Sequence, residues 1–435
     1  MKVIVLGAGV IGISTAWHLL QRGHQVTVVE RQPDAAMETS FANAGQISVS
    51  YCEPWAGKGV PQKLLKWMFR NDAPLLFRPR ADWQQWRWGL RFLAQCNDAA
   101  FARNVEQLVA LGAYSHIALK EVVADTGIAF DRLERGIAHY FTDTRSFDGA
   151  AEAAELIRGF GVDRRVVSRD ELLAIEPAFR SFGHRIVGGT FTASDESGDA
   201  RSFTQQLARH CAARGARLLF GRSVLRLNTV GGAIESIAVS AGGTGDSARN
   251  DLELKADAVV VACGSYSAPL LRTVGVDLPI YPGKGYSATL AILEPAAAPL
   301  VSTIDDEMKC AFTRLGDTLR VAGTIELAGF DHALDTPLAR ARCRMLVDRV
   351  EAVLPGVCDT RTEADGGTPH FWTGLRPATP TNIPFIGRTA IGRLWVNAGH
   401  GTLGWTHGAG SGKALAALID GDAAPIAGFR FSGRT

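Results

Sequence analysis

The chain has 435 residues, of which 46% are hydrophobic and 21% are charged, and its formal net charge at pH 7 is +2. This length exceeds what one hydrophobic core usually organises, so we expect two domains. The weak net charge, without a basic stripe of interleaved aromatics, argues against a nucleic-acid partner. Seven scattered cysteines without a C-x-x-C pair, and ten histidines without H-x-H spacing, predict reduced thiols, a cytoplasmic location and no metal site.

A strand–helix–strand pattern occupies the first thirty residues. The apolar run at residues 3–6 predicts a buried parallel strand, residues 11–22 predict a helix, and residues 25–30 predict a second strand. Glycines and polar residues interrupt the apolar stretch 3–20, so we do not expect a membrane span there. This order of elements is typical of a Rossmann-type nucleotide-binding fold.

Three glycines and one acid give this pattern its chemistry. Gly7 permits the tight turn after the strand, Gly9 lets the backbone approach a pyrophosphate, and Gly12 lets the helix pack on the strand. Glu30 follows about twenty residues later, where a carboxylate holds a ribose 2′-hydroxyl and disfavours a 2′-phosphate. The pattern therefore predicts a bound dinucleotide, against the alternative of an incidental glycine-rich turn.

Residues 51–91 form a segment, here called the aromatic–basic segment, in which aromatic side chains alternate with lysines and arginines. Such a composition suits either a surface that lies on anionic lipid or a packed part of the fold, and spacing alone does not separate the two. Its main members are Trp55, Lys58, Lys63, Lys66, Trp67, Met68, Phe69, Arg70, Arg78, Arg80, Trp83, Trp86, Arg87, Trp88 and Arg91.

Further elements follow along the chain. Residues 279–357 alternate short apolar runs and predict a mainly antiparallel sheet that faces the substrate. The other predicted elements are helices at 103–125, 150–159, 204–214 and 338–354, strands at 218–220, 224–227 and 258–263, and an exposed hairpin and loop at 231–250.

Two motifs near the C-terminus indicate the kind of dinucleotide. Residues 372–387 read WTGLRPATPTNIPFIG, and residues 397–413 read NAGHGTLGWTHGAGSGK. In the second motif, Gly399, Gly401 and Gly404 expose backbone N–H groups before a helix predicted to start near Trp405. The positive end of that helix suits the negative charge that gathers on a reduced flavin, which favours flavin over nicotinamide. The alternative is a glycine-rich helix start without a ligand.

Arg376 lies within the first of these motifs, between Leu375 and Pro377. An arginine in such apolar surroundings needs a partner, because a buried unpaired guanidinium is costly. Its two-pronged fork fits a carboxylate. That carboxylate belongs either to a substrate or to an acid of the protein itself.

The chain resembles the D-amino-acid oxidase superfamily of FAD-dependent oxidoreductases and, within it, the small subunits of bacterial D-amino-acid dehydrogenases. The resemblance rests on the N-terminal glycines, on ETSFANAGQIS at residues 38–48, on YPGKGYSAT at residues 281–289 and on residues 371–379, and it runs to about Ile419. The chain departs from the family at Thr381 and Asn382, where an acidic residue and a glycine are common. This departure leaves the exact substrate open.

The resemblance implies oxidation of a D-amino acid by hydride transfer from Cα to flavin N5, followed by hydrolysis of the imine to a 2-oxo acid and ammonia. Electrons would then pass to a quinone or another acceptor. Some relatives attach the flavin through a cysteine, but residues 371–387 contain none, so noncovalent FAD is expected. D-proline, D-hydroxyproline, sarcosine or glycine are alternative substrates. A nicotinamide-linked dehydrogenase and a catalytically idle flavoprotein are the alternative functions.

The resemblance also assigns roles to residues. Arg376 matches the residue that grips the substrate carboxylate, and Tyr286, Tyr51 and Trp55 are candidates to line the substrate cavity unless they fill the core. We take Arg376, Tyr286 and Tyr51 as catalytic candidates. The candidate cofactor-binding residues are Gly7, Gly9, Val10, Ile11, Gly12, Glu30, Arg31, Ser40, Asn43, Ala44, Gly45, Gln46, Val224, Cys263, Gly264, Gly401, Thr402, Leu403, Gly404, Trp405 and Thr406.

We therefore expect an α/β fold in which a Rossmann-type FAD-binding domain is interleaved with an α+β substrate domain built on a mainly antiparallel sheet. The predicted FAD-binding domain comprises residues 1–50, 192–270 and 366–435, and the substrate domain comprises 51–191 and 271–365. The expected partners are a D-amino acid, a quinone or other electron acceptor, and the cytoplasmic face of the inner membrane as a peripheral contact.

Overall fold

A computed structural model describes residues 1–67, 73–241 and 251–434. Met68, Phe69, Arg70 and most of the predicted loop 231–250 beyond its strand lie outside the described residues, as do the side chains of Lys63, Lys66 and Trp67. The strands are β1 (Lys2–Leu6), β2 (Gln25–Val29), β3 (Gln46–Ile47), β4 (Leu75–Phe77), β5 (Ile137–Phe141), β6 (Arg165–Ser168), β7 (Gly188–Thr192), β8 (Glu196–Ser197), β9 (Arg217–Leu219), β10 (Val224–Val230), β11 (Ala233–Val239), β12 (Leu252–Leu254), β13 (Ala258–Val261), β14 (Tyr281–Ala291), β15 (Ser302–Asp305), β16 (Cys310–Leu315), β17 (Thr318–Leu327), β18 (His370–Ala378), β19 (Phe385–Arg388) and β20 (Leu394–Ala398). The helices are α1 (Val10–Gln21), α2 (Val60–Trp67), α3 (Trp83–Ala94), α4 (Asp98–Thr126), α5 (Thr144–Arg158), α6 (Arg169–Ile175), α7 (Ala200–Ala213), α8 (Ser267–Arg272), α9 (Pro337–Val353) and α10 (Gly404–Ile419).

The first sheet has the strand order β19-β20-β13-β1-β2-β9 and is parallel except for β19. Both faces are covered, as expected for a parallel sheet with continuous apolar strands. Val3 and Val5 of β1 pack into the core shared with α1, α7 and α10. Ile4 and Leu6 face the opposite core, which includes residues of the antiparallel sheet β10-β11-β12. The predicted Rossmann-type fold is therefore confirmed.

The turn from β1 into α1 brings two backbone segments together. Gly7 has a φ of +102°, and a Cβ there would lie 2.5 Å from the carbonyl oxygen of Ala262. A Cβ on Gly12 would overlap the carbonyl oxygen of Gly7. Both glycines are needed because no side chain fits between helix and strand.

Helix α10 packs through glycines against both α1 and α4. A Cβ on Gly410 would lie 2.5 Å from the Cα of Ser115 in α4, and a Cβ on Gly412 would lie 2.7 Å from the backbone of Ser14 in α1. The Gly410 N–H also donates a hydrogen bond of 2.9 Å to Ser115 Oγ. Helix packing thus explains Gly410 and Gly412 of the second C-terminal motif.

The second large sheet has nine strands, with β18-β14-β17-β16-β15-β5-β7-β6 in order and β4 paired with β17. Its pairs are antiparallel except β15 with β5 and β17 with β4. Helix α9 packs on it, and its apolar residues Leu346 and Val350 are fully buried. The mainly antiparallel sheet is confirmed. The domain boundaries stay a prediction, and β18 of the range 366–435 pairs with β14 in this second sheet.

Some elements extend beyond their predicted ends because capping residues set the real limits. Helix α4 begins at Asp98, where the Asn97 side chain accepts a hydrogen bond from the Ala100 N–H. Helix α5 begins at Thr144, with Asp143 as its N-cap. The hairpin β10-β11 turns at Gly231 and Gly232 and so begins before the predicted hairpin and loop 231–250. Ile237 and Val239 of β11 are buried, so this part of the range was wrongly expected to be exposed.

Helix α3 of the aromatic–basic segment buries one face only. Trp88 and Phe92 pack against Tyr281. The opposite face exposes a row of large apolar side chains, Trp83, Trp86, Leu90 and Leu93, whose exposed fractions are 68%, 46%, 65% and 46%. Within the described ranges, no helix has both the length and the apolar character that crossing a membrane requires.

We predict that Gly12→Ala lowers the free energy of unfolding by about 1–3 kcal/mol, because α1 must move away from Gly7 to make room for the methyl group. Gly149→Ala is the matched control, since a Cβ on this helical glycine of α5 would have no neighbouring atom within 4 Å. The control should match or slightly exceed the wild type in stability. Urea unfolding measures both variants, and equal midpoints for the two would contradict the prediction.

Candidate active site

A cavity of about 330 Å³ opens where the central parallel strands of the first sheet end. Gly7, Ala262 and Gly399 line it, and each follows closely on the carboxyl end of β1, β13 or β20. Ligands of open α/β sheets bind at this edge. The candidate cofactor residues that line the cavity are Gly7, Gly9, Val10, Ile11, Glu30, Arg31, Ser40, Val224, Cys263, Gly264, Gly401 and Gly404.

Several of these glycines present bare backbone to the cavity. A Cβ on Gly9 would meet only Ser40 Oγ, at 3.5 Å, and a Cβ on Gly264 would meet nothing within 4 Å. The Val10 N–H at the start of α1 donates to Ser40 Oγ over 3.1 Å. Helix α10 lacks a side-chain N-cap, and Gly404 in its first turn lines the same cavity. Two helix N-termini therefore face one cavity, an arrangement that suits a diphosphate and a polar ring system.

Glu30 stands at the end of β2. One carboxylate oxygen accepts the Ala8 N–H at 2.8 Å and the other accepts the Gln32 N–H at 2.9 Å. Burial raises the pKa of the Glu30 carboxyl above its ordinary value. Each oxygen keeps a free lone pair, so the side chain is fixed by the backbone and can still accept a hydroxyl of a ribose.

Arg31 closes one side of the cavity. Its guanidinium carbon lies 3.9 Å from the centre of the Tyr266 ring, and its Nε donates to Glu38 Oε1 at 2.6 Å. Tyr266 and Glu38 also line the cavity, and sequence reasoning did not assign either of them a role. Both could have been found from the sequence, because Glu38 opens the motif at residues 38–48 and Tyr266 lies just after the predicted strand 258–263.

Two buried polar atoms in the cavity wall have no partner among the described residues, Asn397 Oδ1 and His400 Nε2. Burial holds the pKa of His400 well below its ordinary value, so the imidazole is neutral at pH 7. Unpaired buried polar atoms are rare and call for a partner. Both residues belong to the NAGHGT motif but were not selected individually from the sequence.

The remaining candidate cofactor residues do not line this cavity. Ala44 and Gln46 contact the second sheet. The Ala44 carbonyl accepts from Thr313 Oγ1 at 2.7 Å, and Gln46 donates to Ser302 Oγ at 2.9 Å. Asn43 Oδ1 accepts the Gly45 N–H. Gly12 serves helix packing, and Thr402 and Leu403 lie in the turn before α10.

Trp405 and Thr406 point into the protein. Trp405 packs between Phe130 and Phe203, and its Nε1 donates to the Gly198 carbonyl at 3.1 Å. Thr406 Oγ1 accepts the Ser48 N–H at 3.1 Å. Their expected cofactor contact therefore has no support from the side chains, because the first turn of α10 turns these two inward.

Arg376 of β18 is held by backbone. Its Nη1 donates to the Thr324 carbonyl at 2.7 Å, and a Cβ on Gly285 would lie 2.5 Å from its guanidinium carbon. No carboxylate of the described residues forms an ion pair with Arg376. Burial alone lowers its pKa to about 10, which leaves the group cationic at neutral pH. The described residues therefore show no ion pair between Arg376 and an acid of the protein, which was the alternative.

Tyr286 lies in the core and does not line the cavity, contrary to the expectation that it lines the substrate site. It is 1% exposed, it belongs to the core of the second sheet, and its hydroxyl donates to Glu326 Oε2 at 2.6 Å. Neighbouring residues on a strand point to opposite faces, so Tyr286 lies on the other face from Gly285 and Arg376. We therefore do not propose a catalytic role for it.

Tyr51 and Trp55 precede α2, and Tyr51 ends a short 3-10 helix, Val49–Tyr51. The ring of Tyr51 packs edge-on against His139, with centroids 4.7 Å apart, and burial raises its pKa. The Trp55 N–H donates to Asn382 Oδ1 at 2.9 Å. Neither residue lines the cavity at the ends of the parallel strands. Among the described residues, no cluster of His, Cys, Asp or Glu has the arrangement of a metal site.

Comparison with known proteins gives the family. The family described as FAD dependent oxidoreductase matches residues 2–418. The chain is 49% identical over 421 residues to a D-amino acid dehydrogenase of Dechloromonas aromatica (strain RCB), with 97% of each protein covered. It is 42% identical over 421 residues to a D-amino acid dehydrogenase of Allorhizobium ampelinum, covering 97% of this chain and 95% of the relative.

Among solved structures, glycine oxidase from Bacillus cereus ATCC 14579 is similar, with a TM-score of 0.70 at 21% identity and with 97% of this chain and 95% of that chain covered. At this identity the likeness shows the fold alone. The chain belongs to the family of FAD-dependent oxidoreductases. The open glycines and the unpaired atoms of Asn397 and His400 fit an FAD molecule in the cavity.

Asn382 holds a left-handed turn after β18. Its φ is +61°, it is 1% exposed, and its side chain accepts the Trp55 N–H. Asparagine tolerates this conformation better than most residues. The hydrogen bond ties the turn after β18 to the aromatic–basic segment.

We predict that Glu30→Ala weakens FAD binding by about 1–3 kcal/mol, because a hydroxyl of the ribose and the Ala8 N–H both lose an acceptor. Glu30→Gln is the matched control, since it keeps the shape and one carbonyl acceptor, and it should weaken binding less. Calorimetric titration of FAD into the apoprotein measures both variants. Wild-type affinity in the alanine variant would remove Glu30 from the cofactor site.

Proposed function

We propose that the protein oxidises D-amino acids to 2-oxo acids and ammonia with noncovalent FAD. The observation that carries this proposal is Arg376, a mostly buried cation that donates to a backbone carbonyl and that no described carboxylate neutralises. A buried guanidinium in this state is complementary to a carboxylate that arrives with the substrate. The identity of 49% to a relative named D-amino acid dehydrogenase supports the same substrate class.

In this proposal, Arg376 binds the substrate carboxylate and so restricts the orientations of the neighbouring Cα. FAD, when bound, supplies the acceptor for the hydride that leaves Cα. Gly9, Ser40 and Glu30 hold the diphosphate and ribose end of the cofactor, and the start of α10 faces its ring system. The imine that results is hydrolysed by water to the 2-oxo acid and ammonia.

Noncovalent attachment is supported by the cysteines. Cys263 lines the cavity, but its Sγ donates to the Leu6 carbonyl at 3.3 Å. Burial raises the pKa of the Cys263 thiol to about 12, so the nucleophilic thiolate is scarce at neutral pH. A neutral, hydrogen-bonded thiol is a poor group for forming a bond to the flavin.

We further propose that the electrons pass to a membrane quinone and that the enzyme lies on the cytoplasmic face of the inner membrane. The exposed row on α3 supports this, because two tryptophans and two leucines share one face of a helix that also carries exposed Arg91. Aromatic and apolar side chains with neighbouring cations are typical of helices that lie in the interface of anionic membranes.

We predict that Arg376→Lys lowers kcat/KM for D-amino acids by about two to four powers of ten, which corresponds to roughly 3–5 kcal/mol for loss of the fork of a desolvated pair. FAD content should be unchanged, because the proposed partner is the substrate. The wild type should discriminate strongly against amines without a carboxylate, and the variant should discriminate far less.

The measurement is steady-state kinetics with an artificial electron acceptor over D-amino acids, secondary amino acids and simple amines. Arg349→Lys is the control, since this half-buried arginine pairs with Asp305 and has no place in the proposed site. Near-wild-type kinetics of Arg376→Lys and Arg376→Ala on every amino acid would show that the carboxylate is bound elsewhere. If the wild type prefers secondary amines, these would replace primary D-amino acids as the proposed substrate class.

We predict that the protein sediments with anionic liposomes and detaches as salt rises, because such attraction is screened over about 8–10 Å at physiological ionic strength. Replacing Trp83 and Trp86 together by serine should abolish sedimentation. The matched control replaces two exposed apolar residues of β10, Leu225 and Val230, by serine, and it should sediment like the wild type. Equal sedimentation with neutral liposomes, or none at all, would contradict the membrane contact.

A further inference from the structure

Thr324 in β17 has an unusual backbone conformation. Its φ is +54°, in the left-handed region that β-branched residues rarely adopt. The pairing of β17 with β14 shifts register at this point, because Lys284 pairs with Glu326 but Tyr286 pairs with Gly323. Two residues of β17 therefore stand opposite one of β14, which is the arrangement of a β-bulge.

The surroundings hold this bulge in place on both sides. Before it, a Cβ on Gly323 would lie 2.5 Å from the Cβ of Cys310 in the neighbouring strand. After it, the Ile325 N–H donates to the Pro74 carbonyl at 2.7 Å, and Glu326 accepts from the Tyr286 hydroxyl. A strained residue persists only where its neighbours determine the conformation in this way, and such residues cluster at functional sites.

The bulge brings the carbonyl of Thr324 to Arg376. That carbonyl accepts from Arg376 Nη1 at 2.7 Å, while the bare backbone of Gly285 leaves the space that the guanidinium fills. Gly285, which lies opposite the bulge, and Thr324, which lies in it, thus fix one side of the Arg376 guanidinium. Its other N–H groups have no acid partner among the described residues.

The hydroxyl of Thr324 is buried and has no partner among the described residues. The residue is 4% exposed, and its Oγ1 is buried without a hydrogen-bond partner in the described part of the chain. Buried hydroxyls are ordinarily paired, and an unpaired one calls for an explanation. This hydroxyl belongs to the same residue whose carbonyl accepts from the Arg376 guanidinium.

We propose that Thr324 is a residue of the substrate site, where its carbonyl positions Arg376 and its hydroxyl donates a second hydrogen bond to the carboxylate that Arg376 binds. This inference rests on the proposed function. It also explains why a β-branched residue occupies a left-handed position that glycine or asparagine would adopt with less strain.

The test compares Thr324→Val with Thr324→Ser in the FAD-loaded enzyme. Valine keeps the branched shape and removes the hydroxyl, and serine keeps the hydroxyl. Propionate is the probe, because it carries a carboxylate and no amine to oxidise. We expect the Kd of propionate by calorimetry, and the KM of D-alanine, to rise about 10- to 100-fold in the valine variant and to stay near wild type in the serine variant, as for a hydrogen bond to a charged group.

Thr324→Gly provides a readout that a merely structural role would not give. Glycine relieves the left-handed strain, so the variant should melt at the same or a higher temperature than the wild type while its affinity for propionate falls. Thr204→Val is the control for loss of a buried hydroxyl, since Thr204 in α7 donates to the Ala200 carbonyl at 2.6 Å and does not line the cavity. It should bind propionate like the wild type.

Wild-type affinity for propionate in Thr324→Val would overturn the inference, and so would an equal loss in the serine variant. Failure of the proposed function gives a different result. In that case the wild type oxidises no D-amino acid, whereas the comparison of propionate affinities still reports on Thr324 and Arg376.

Discussion

The contact between α1 and the turn that precedes it sets the geometry of the whole candidate cofactor site. Because Gly12 leaves no room between the helix and the Gly7 carbonyl, the start of α1 is fixed above the ends of the parallel strands. This places Gly9 and the Val10 N–H beside Ser40, and the chain that continues from Ser40 reaches the second sheet through Ala44 and its bond to Thr313. The short segment 40–46 thus links the position of the cavity to the position of the second sheet.

The N-terminal part of the site was predictable because every local signal agreed. The apolar strands, the spacing of the glycines and the position of Glu30 each indicate the same fold, and the structure places Gly9, Ser40 and Glu30 around one cavity. Arg376 was selected from the sequence for a related reason, and its role stays a prediction. A lone cation inside an apolar motif demands a counter-ion, and the sequence around it offers none.

Other candidate residues have side chains away from the cavity, because the sequence does not say which face of an element is the inner one. Strand β14 is buried on both faces over most of its length, so alternation could not show that Tyr286 points away from Arg376. Trp405 and Thr406 follow directly on cavity residues, yet the turn of a helix rotates them into the core. The bulge at Thr324 had no signal at all, because threonine is an ordinary strand residue and its φ is imposed by neighbours distant in sequence.

The glycine contacts of α10 have a consequence for motion. Helices separated by side chains can slide by small rotamer changes, but α10 meets Ser14 and Ser115 backbone to backbone and has no such layer. We therefore expect α1, α4 and α10 to open together as one cooperative unit in hydrogen exchange. Occupation of the cavity at the start of α1 and α10 would then slow amide exchange along α4, although α4 contributes no residue to the cavity wall.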